Sequence, residues 1–240
     1  MSKTYAIADL HGRHDLLCSA LERIWNYAAN DDEEAGTVVL MGDYIDRGPH
    51  SRQVIDRLMM GLSEGWKLVC LRGNHEDIML TCLRAPGLIN QWWIPNGGGQ
   101  TLAWYGAKEG TKIFDAIASV PNDHVDWMAG LPRLHVNKHR VFVHAGVQDG
   151  IPLEDQDDEK MGWMLYPDGA DDGHGERHVV HGHHQFADGP KCYKGRTDLD
   201  TFAWYTGRLV VGVFDDDVAG GPVDFIEVIG SSATQVAEAA

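Results

Sequence analysis

The chain has 240 residues and a formal net charge of −16 at pH 7, because 36 acidic side chains outnumber 20 basic ones. Hydrophobic residues make up 43% of it, which is enough to bury a sizeable core within one large domain. An acidic surface of this kind repels the nucleic-acid backbone, so non-specific binding to DNA or RNA is excluded.

The cysteines and the apolar runs favour a cytoplasmic protein. The four cysteines are scattered and form no C-x-x-C pair, so neither a disulfide framework nor a structural zinc site is expected. No apolar stretch reaches the roughly 18 residues of a membrane span, and the first strand begins too early to leave room for a signal peptide. We expect one domain over residues 1–230 and a flexible tail at 231–240, and nothing in the sequence indicates an oligomeric state.

The first 80 residues alternate between two hydrophobic periods. Apolar runs rich in Val and Ile predict buried strands near residues 5–8, 38–41 and 68–71. Between them, the segments 14–27 and 51–62 carry apolar residues at helical spacing. A β-α-β-α-β order implies parallel strands with right-handed crossovers, and therefore an α/β fold.

The rest of the chain changes from helices to strands. Residues 78–130 are mostly helical in pattern, and the acidic segment 149–177 is predicted to be a long solvated loop. Further strands are predicted at 140–145, 177–182, 197–205 and 208–214. Thr206-Gly207 separates the last two of these strands and is a candidate hairpin turn.

Five of the apolar runs stop at side chains that can bind a metal ion. In an open α/β sheet, the ligand crevice lies at the carboxyl ends of the strands, so these side chains are expected to meet there. The set comprises Asp9, His11, Asp43, Asn74, His144 and one histidine that follows Val180. Six nitrogen and oxygen ligands are enough for two divalent ions that share one bridging carboxylate.

The motifs differ in how specific they are. Gly42-Asp43-Tyr-Ile-Asp46-Arg47-Gly48 places two carboxylates and an arginine between glycines, which is an unusual composition for a simple turn. Arg72-Gly-Asn74-His75-Glu76 also fits a helix N-cap followed by a surface histidine. The segment follows the third predicted strand, however, just as the other candidate ligands follow theirs, which favours a ligand site. His144 alone would more often be a satisfied core histidine than a ligand.

Three histidines compete for the last ligand position. His181, His183 and His184 all follow the apolar pair Val179-Val180. Strand alternation gives His181 and His183 the same facing, so periodicity does not choose between them.

Together these motifs resemble the ordered set of the PPP-type metallophosphoesterases. The matching segments are Asp9-Leu-His-Gly12, Gly42 to Gly48, Leu71-Arg-Gly-Asn-His-Glu76, His144-Ala-Gly and Gly182-His183. Trp92-Trp-Ile-Pro-Asn-Gly-Gly98 resembles a segment of the bacterial and phage Ser/Thr protein phosphatase branch, which includes lambda phosphatase. The resemblance implies a sandwich of two mixed β-sheets flanked by helices, with a dinuclear metal site at the strand ends.

The resemblance also implies a division of the ligands between two metal ions, and it selects His183. One ion would be bound by Asp9, His11 and the bridging Asp43. The second ion would be bound by Asp43, Asn74, His144 and His183. Mn²⁺ is the metal expected from the bacterial relatives, with Fe, Zn, Ni and Co as alternatives.

The catalytic roles follow from the same resemblance. In such centres two ions hold a phosphoryl oxygen and lower the pKa of a bridging water, whose hydroxide attacks phosphorus in line. Arg47 and Arg72 would bind the non-bridging oxygens. His75 would give a proton to the departing alkoxide, with Asp46 orienting its ring and raising its pKa.

Several functions are compatible with this chemistry, and a phosphomonoesterase acting on phosphoserine and phosphothreonine proteins or a small phosphate ester is favoured. The first rival is a dinucleoside polyphosphate hydrolase on the same scaffold. Those relatives tend to show Leu-Gly-Asn-His-Asp and to lack Asp-Arg-Gly, so Arg72, Glu76 and the pair Asp46-Arg47 argue for the phosphatase.

Two further alternatives remain open. A broad phosphodiesterase is suggested by Leu165, which stands where the branch commonly has an arginine. From a different class, a non-catalytic phosphate-binding protein is disfavoured because every expected ligand and helper residue is present.

Several residues expected at the rim of the crevice differ from those that are common in the resembling family. Phe202 replaces a common glycine, and His184-Gln185 replace a Thr-Pro pair. A set of aromatic residues could line a substrate groove, although packing in the core or in a lid is favoured. These residues are Trp92, Trp93, Trp104, Tyr105 and Trp163.

Overall fold

The predicted strands of the first 80 residues form the centre of one five-stranded sheet. The structure, a computed structural model, describes residues 2–31, 35–108 and 110–233. The strands of this sheet are β1 (Lys3–Ile7), β2 (Thr37–Leu40), β3 (Lys67–Cys70), β9 (Arg208–Asp215) and β10 (Asp224–Ile229). Their order is β10-β9-β1-β2-β3, with β1, β2 and β3 parallel and β9 antiparallel to both of its neighbours. The β-α-β-α-β prediction is confirmed.

A second five-stranded sheet is built from the later part of the chain. Its strands are β4 (Leu134–Val136), β5 (Arg140–Val143), β6 (His178–His181), β7 (Lys191–Cys192) and β8 (Arg196–Asp198). The order is β4-β5-β6-β8-β7, in which β5, β6 and β8 are parallel and the two outer strands are antiparallel. Both sheets are therefore mixed, as the resemblance implied.

Helices flank the two sheets. They are α1 (His14–Asn30), α2 (Ser51–Met59), α3 (Asn74–Arg84), α4 (Gly98–Trp104), α5 (Ile113–Ala118), α6 (Asn122–Ala129), α7 (Asp158–Trp163) and α8 (Ala203–Thr206). Short 3-10 or π-helical turns occur at Pro86–Leu88, Ile89–Trp93, Ile94–Asn96 and Leu153–Asp155. The predicted helical character of residues 78–130 is confirmed. No helix among the described residues is both long enough and apolar enough to cross a membrane.

Strand alternation divides the core into layers. Tyr5 and Ile7 of β1 face the cluster that includes α1 and α2, whereas Ala6 faces the second sheet. Phe142 of β5 and Val180 of β6 meet Ala6 in the layer between the sheets. Each fully buried aliphatic or phenylalanine side chain contributes roughly 1.5–3 kcal/mol of burial free energy. The sandwich is therefore stabilised from both faces of the first sheet.

The strand prediction for residues 197–205 is wrong beyond Asp198. The carboxylate of Asp198 accepts the N–H of Asp200, and that of Asp200 accepts the N–H of Phe202. Such local side-chain bonds compete with a strand ladder, so the chain turns and continues into α8.

The predicted hairpin at Thr206-Gly207 is also wrong, because β8 and β9 belong to different sheets. The hairpin partner of β9 is β10, which the strand predictions did not include. The segment 149–177 is largely irregular but contains α7. Most of the predicted tail 231–240 lies outside the described residues, and the extent of the predicted domain stays a prediction.

The second sheet contains a buried histidine that makes the fold sensitive to acid. His178 is 4% exposed, and its Nε2 lies 2.9 Å from the Thr197 hydroxyl. Burial, with a smaller effect of the Arg140 charge, lowers the pKa of His178 to about 4. Since the unfolded chain has the higher pKa, it binds more protons between about pH 6.5 and 4. This histidine's contribution to stability is therefore present above pH 6.5 and is lost as the pH falls towards 4.

We expect a His178→Gln variant to lose less stability on acidification than the wild type. The slope that a single histidine contributes is at most about 1.4 kcal/mol per pH unit. Urea unfolding at pH 7 and pH 5 measures the difference, with His139→Gln as the control substitution in the neighbouring loop. Equal losses of unfolding free energy in His178→Gln and the wild type would remove His178 as a cause.

Candidate metal centre

The carboxyl ends of five strands meet at one edge of the sandwich. Asp9 and His11 follow β1, Asp43 follows β2, and Asn74 begins the helix after β3. His144 follows β5 directly, and His183 lies two residues after β6. All but His183 are buried, and the His183 N–H donates to Asp9 at 3.1 Å. The structure therefore brings all six predicted ligand residues to one place.

One candidate ligand group contains His11, Asp43 and His75, whose donor atoms lie within 4.8 Å of one another. The Asp43 Oδ2 is 3.5 Å from the His11 Nε2 and 3.9 Å from the His75 Nε2. His75 thus occupies this group in the present arrangement, whereas the resemblance implied Asp9. His75 was expected to be a proton donor and not a ligand.

The second candidate group contains Asp43, His144 and His183, again within 4.8 Å. The Asp43 Oδ1 lies 3.5 Å from the His144 Nε2. Asp43 therefore belongs to both groups, with one carboxylate oxygen nearest each. This is the arrangement that a bridging carboxylate requires.

The amide of Asn74 tests whether a cation fits this second group. Its oxygen is 2.8 Å from the His144 Nε2, about 3.2 Å from both Asp43 oxygens and 3.3 Å from the His183 Nδ1. As placed, that oxygen faces only acceptor atoms. Turning the amide would point its NH₂ group at these acceptors, whereas with the amide as placed a cation between them would relieve the repulsion. Oxygen and imidazole donors suit several divalent ions. The donor set therefore fits a metal ion.

Hydrogen bonds behind the imidazoles orient their lone pairs. The His11 Nδ1 donates to the Ile45 carbonyl at 2.8 Å, and the His144 Nδ1 donates to the Met41 carbonyl at 2.7 Å. With a proton held on Nδ1 in this way, the neutral ring directs the lone pair of its Nε2 atom towards Asp43, as in many metal sites. Burial lowers the pKa of His11 well below its usual value, and burial with His144 nearby lowers that of His183 to about 3. Both rings are neutral and able to bind a metal.

Asp46 holds the ring of His75. The His75 Nδ1 is 2.7 Å from one Asp46 oxygen, while the other oxygen accepts from the Trp93 indole at 3.0 Å and the Thr101 hydroxyl at 2.7 Å. Burial lowers the pKa of His75, but the charges of Asp43 and of the hydrogen-bonded Asp46 outweigh it and raise the pKa. Trp93 is fully buried, so it belongs to the core and not to a substrate groove.

The two predicted phosphate-binding arginines are placed differently. The Arg47 guanidinium donates to the Nε2 atoms of His11 and His75, both at 3.0 Å. Arg72 donates to the Ala129 carbonyl at 3.0 Å, and its Nε lies 3.4 Å from Asp77. Of the two, only Arg47 contacts the ligand groups within the part of the chain that the structure describes.

Two further carboxylates, which the sequence analysis missed, lie beside Asp9. Asp198 and Asp200 at the end of β8 are 1% and 2% exposed. Burial and the nearby charge of Asp9 raise the pKa of both groups well above the usual value, since like charges disfavour ionisation. Asp198-Leu-Asp200 has the same i, i+2 spacing as Asp9-Leu-His11 at the end of a strand. That spacing was a usable signal, but the predicted continuous strand concealed it.

Backbone strain is concentrated at this site. Among the residues that the structure describes, six non-glycine residues have a positive φ, and five of them are predicted site residues: His11, Asp43, Asp46, Arg47 and His183. Such conformations cost of the order of 1–3 kcal/mol each and persist only where surrounding contacts enforce them. The sixth is Phe202, which explains why glycine is common at that position in the resembling family.

Glu76 makes hydrogen bonds that hold the strained backbone near Asp43 in place. Its buried carboxylate accepts the N–H groups of Asp43 and Tyr44 at 2.9 Å and that of Gly73 at 3.0 Å. One side chain therefore ties the loop after β2 to the loop after β3. Gly42, at φ +95°, lies so close to the loop after β3 that an added Cβ would be 2.5 Å from the Gly73 nitrogen, so a larger residue does not fit there.

Comparisons with known proteins agree on the family. Residues 2–214 match the sequence profile of the family described as Calcineurin-like phosphoesterase. A curated relative from Nitrosococcus oceani, a symmetrical bis(5'-nucleosyl)-tetraphosphatase, is 32% identical over 147 residues, which cover 60% of this chain and 43% of the relative. The protein of the same name from Methylobacillus flagellatus is 29% identical over 144 residues, with the same two shares. The match thus spans less than half the length of these curated relatives.

Among solved structures, a protein provisionally assigned as a diadenosine tetraphosphatase superposes with a TM-score of 0.64. The superposition covers 95% of this chain and 94% of that one, at 20% identity, and therefore shows a shared fold alone. The comparisons confirm the metallophosphoesterase superfamily. They do not confirm the Ser/Thr protein phosphatase branch, because the relatives named above are tetraphosphatases.

We expect Glu76→Gln to destabilise the protein and to loosen the metal centre. A glutamine keeps the size of the side chain, but its NH₂ group would face backbone N–H donors, which leaves buried donors without an acceptor. The expected loss is about 2 kcal/mol or more of the free energy of unfolding. Urea unfolding and the Mn²⁺ content after dialysis measure both effects.

Glu22→Gln makes the same chemical change on the exposed face of α1 and serves as the control. If Glu76→Gln matched Glu22→Gln in stability and in metal content, the proposed clamp between the two loops would be wrong.

Proposed function

From the premise that the chain belongs to the calcineurin-like phosphoesterase family, whose members use a dinuclear divalent metal centre, we propose that it is a metal-dependent hydrolase of dinucleoside polyphosphates. The observation that carries the hydrolase part is Asp43, whose two oxygens each face a separate ligand group. The substrate class is supported by the names of the curated relatives. Phosphoproteins were the favoured substrates from the sequence, and they become the second candidate.

Two divalent ions at these groups would polarise a phosphoryl oxygen and lower the pKa of a water molecule. We propose that Asp9, His11 and Asp43 hold one ion, and that Asp43, Asn74, His144 and His183 hold the other. Asp9 is retained as a ligand from the family resemblance, and its carboxylate lies at the centre, where it accepts the N–H of His183. The metal identity, with Mn²⁺ as the expectation, stays a prediction.

The protein's own side chains would then position the substrate and move a proton. Arg47 carries its charge to the edge of both imidazoles, where it would bind a non-bridging phosphate oxygen. When Arg47 binds the phosphate in place of the His75 Nε2, that nitrogen would be free to carry the proton for the leaving group, and the contact of Nδ1 with Asp46 keeps the ring oriented and more basic. Arg72 would need to leave Ala129 and Asp77 to assist, so it is the weaker of the two proposed phosphate ligands.

Two observations still favour a protein phosphatase as the second candidate. They are the Asp46-Arg47-Gly48 segment and the Arg72 to Glu76 motif, which resemble that branch. Glu76, however, binds backbone N–H groups, and Arg72 contacts Ala129 and Asp77, so neither of these residues reports directly on the substrate. Leu165 is 56% exposed and offers no charge for a phosphate, which keeps diesters as a possible substrate class.

Initial rates on a matched substrate panel test the proposal. With Mn²⁺-loaded enzyme, we expect diadenosine tetraphosphate to exceed a phosphoserine peptide and bis-p-nitrophenyl phosphate at least about 10-fold in kcat/KM, a factor worth about 1.4 kcal/mol. EDTA should abolish turnover of all three substrates. A preference for the phosphopeptide would establish the second candidate in place of the first.

A His75→Asn variant tests the proton donor. A serine alkoxide is a poor leaving group, whereas a nucleoside diphosphate leaves more easily and needs less protonation. We therefore expect a loss in kcat of about 100-fold or more on the phosphoserine peptide and a smaller loss on diadenosine tetraphosphate. His139→Asn, outside the centre, is the matched control. Equal losses on both substrates would contradict a role for His75 in protonating the leaving group.

A further inference from the structure

A pocket beside Arg47 has no role in the chemistry described so far. It has a volume of about 320 Å³ and is lined by Arg47, Pro95, Asn96, Gly97, Gln100 and Trp204. That volume lies in the range of about 300–1,000 Å³ that is typical of small-molecule sites. The pocket combines a charged group, an indole ring and two carboxamide side chains.

Arg47 connects this pocket to the candidate metal centre. Its guanidinium contacts His11 and His75 on one side and lies over the Trp204 ring, 5.7 Å from the ring centroid, on the other. A molecule that occupied both places would have an anionic part at the metal centre and a flat, neutral part beside Trp204. The guanidinium group of Arg47 would lie between the anionic part and the flat part of such a molecule.

The polar groups of the pocket have unused hydrogen-bonding capacity. Gln100 lies on the exposed face of α4, where none of the described contacts occupies its amide. Asn96 donates to the Trp92 carbonyl at 2.7 Å, which leaves its amide oxygen as an acceptor. Two carboxamides suit the edge of a nucleobase or the hydroxyls of a ribose.

Trp204 is held firmly enough to act as a platform. Its backbone carbonyl and that of Ala203 accept from Arg13, at 3.5 Å and 3.2 Å. The edges of Phe202 and Trp204 meet at an angle of 89°, with 5.2 Å between centroids. Trp92 and Trp163 form another aromatic pair near the centre, stacked at 10°. Trp204 differs from them because it lines the pocket, so it is the aromatic ring that a base in this pocket would meet.

We propose that this pocket binds one nucleoside of the substrate, with its base against Trp204 and its polar edge towards Gln100 and Asn96. The adjoining phosphates then pass Arg47 and enter the candidate metal centre. This inference rests on the proposed function, because it assumes a substrate that joins a nucleoside to a phosphate chain. It adds the residues that would select a dinucleoside polyphosphate over a simple phosphate ester.

The test uses p-nitrophenyl phosphate hydrolysis by the Mn²⁺-loaded enzyme as a reporter that needs no nucleoside. ADP and inorganic pyrophosphate serve as competing inhibitors at a fixed free Mn²⁺ concentration. We expect Trp204→Ala to raise the inhibition constant of ADP about 10-fold, since stacking on an aromatic side chain contributes strongly to binding a base. Because Trp204 also lies against Arg47, the quantity compared is the ratio of the ADP and pyrophosphate inhibition constants, which should rise about fivefold or more.

Matched variants keep the test decisive if Trp204→Ala does not fold. Trp204→Phe retains a flat ring and should recover most of the ADP affinity. Gln100→Ala should raise the inhibition constant of ADP about threefold. Gln91 is also an exposed glutamine but does not line the pocket, so Gln91→Ala should leave this constant unchanged. If Trp204 and Gln100 variants changed the inhibition constants of ADP and pyrophosphate by the same factor, the nucleoside pocket would be wrong.

The turnover of diadenosine tetraphosphate by the wild type separates this inference from the proposed function. Rapid turnover with an unchanged KM in both Trp204→Ala and Gln100→Ala would retain the function and overturn the pocket. Absent turnover, together with Trp204-dependent inhibition by ADP, would retain the pocket and overturn the proposed substrate.

Discussion

The carboxylate of Glu76 is the interaction on which the candidate metal centre depends most. It accepts N–H groups from Asp43, Tyr44 and Gly73, and so joins the ends of two parallel strands. Hydrogen bonds to a charged group contribute about 1.5–3 kcal/mol each. That is enough to hold Asp43 at φ 54°, a conformation that costs of the order of 1–3 kcal/mol. A side chain of helix α3 therefore fixes the position of Asp43 between the two ligand groups.

Repulsion between converging lone pairs destabilises the same cluster that Glu76 stabilises. With the Asn74 amide as placed, Asn74, His144 and His183 direct acceptor atoms towards Asp43, and Arg47 contacts His11 on the other side of the cluster. A divalent cation would remove this repulsion, so folding of these loops and metal binding are expected to be coupled. The same geometry leaves Arg47 between the metal centre and the Trp204 pocket, where a phosphate chain would need a positive charge.

The parallel strands, and the placement of candidate ligand residues at their ends, were predictable, because each depends on residues close together in sequence. The apolar runs of β1, β2 and β3 are local features, and the structure confirms the strands that they predict. The end of β8 was not predictable in this way. Asp198 and Asp200 bind backbone N–H groups two residues ahead and end the strand, so a run predicted to continue to residue 205 stops at Asp198.

The sequence by itself determined the kind of chemistry, since the identity and order of Asp, His and Asn side chains at the ends of strands do not depend on how the sheets pack. Only the tertiary structure decided which groups meet. His75 lies beside Asp43 because Asp46, 29 residues away, fixes its ring, and Trp93 fixes Asp46 from 47 residues away. Arg72 was expected beside Arg47 but contacts Ala129 and Asp77. Side-chain orientations depend on partners distant in sequence, and local hydrophobic periodicity carries no information about those partners.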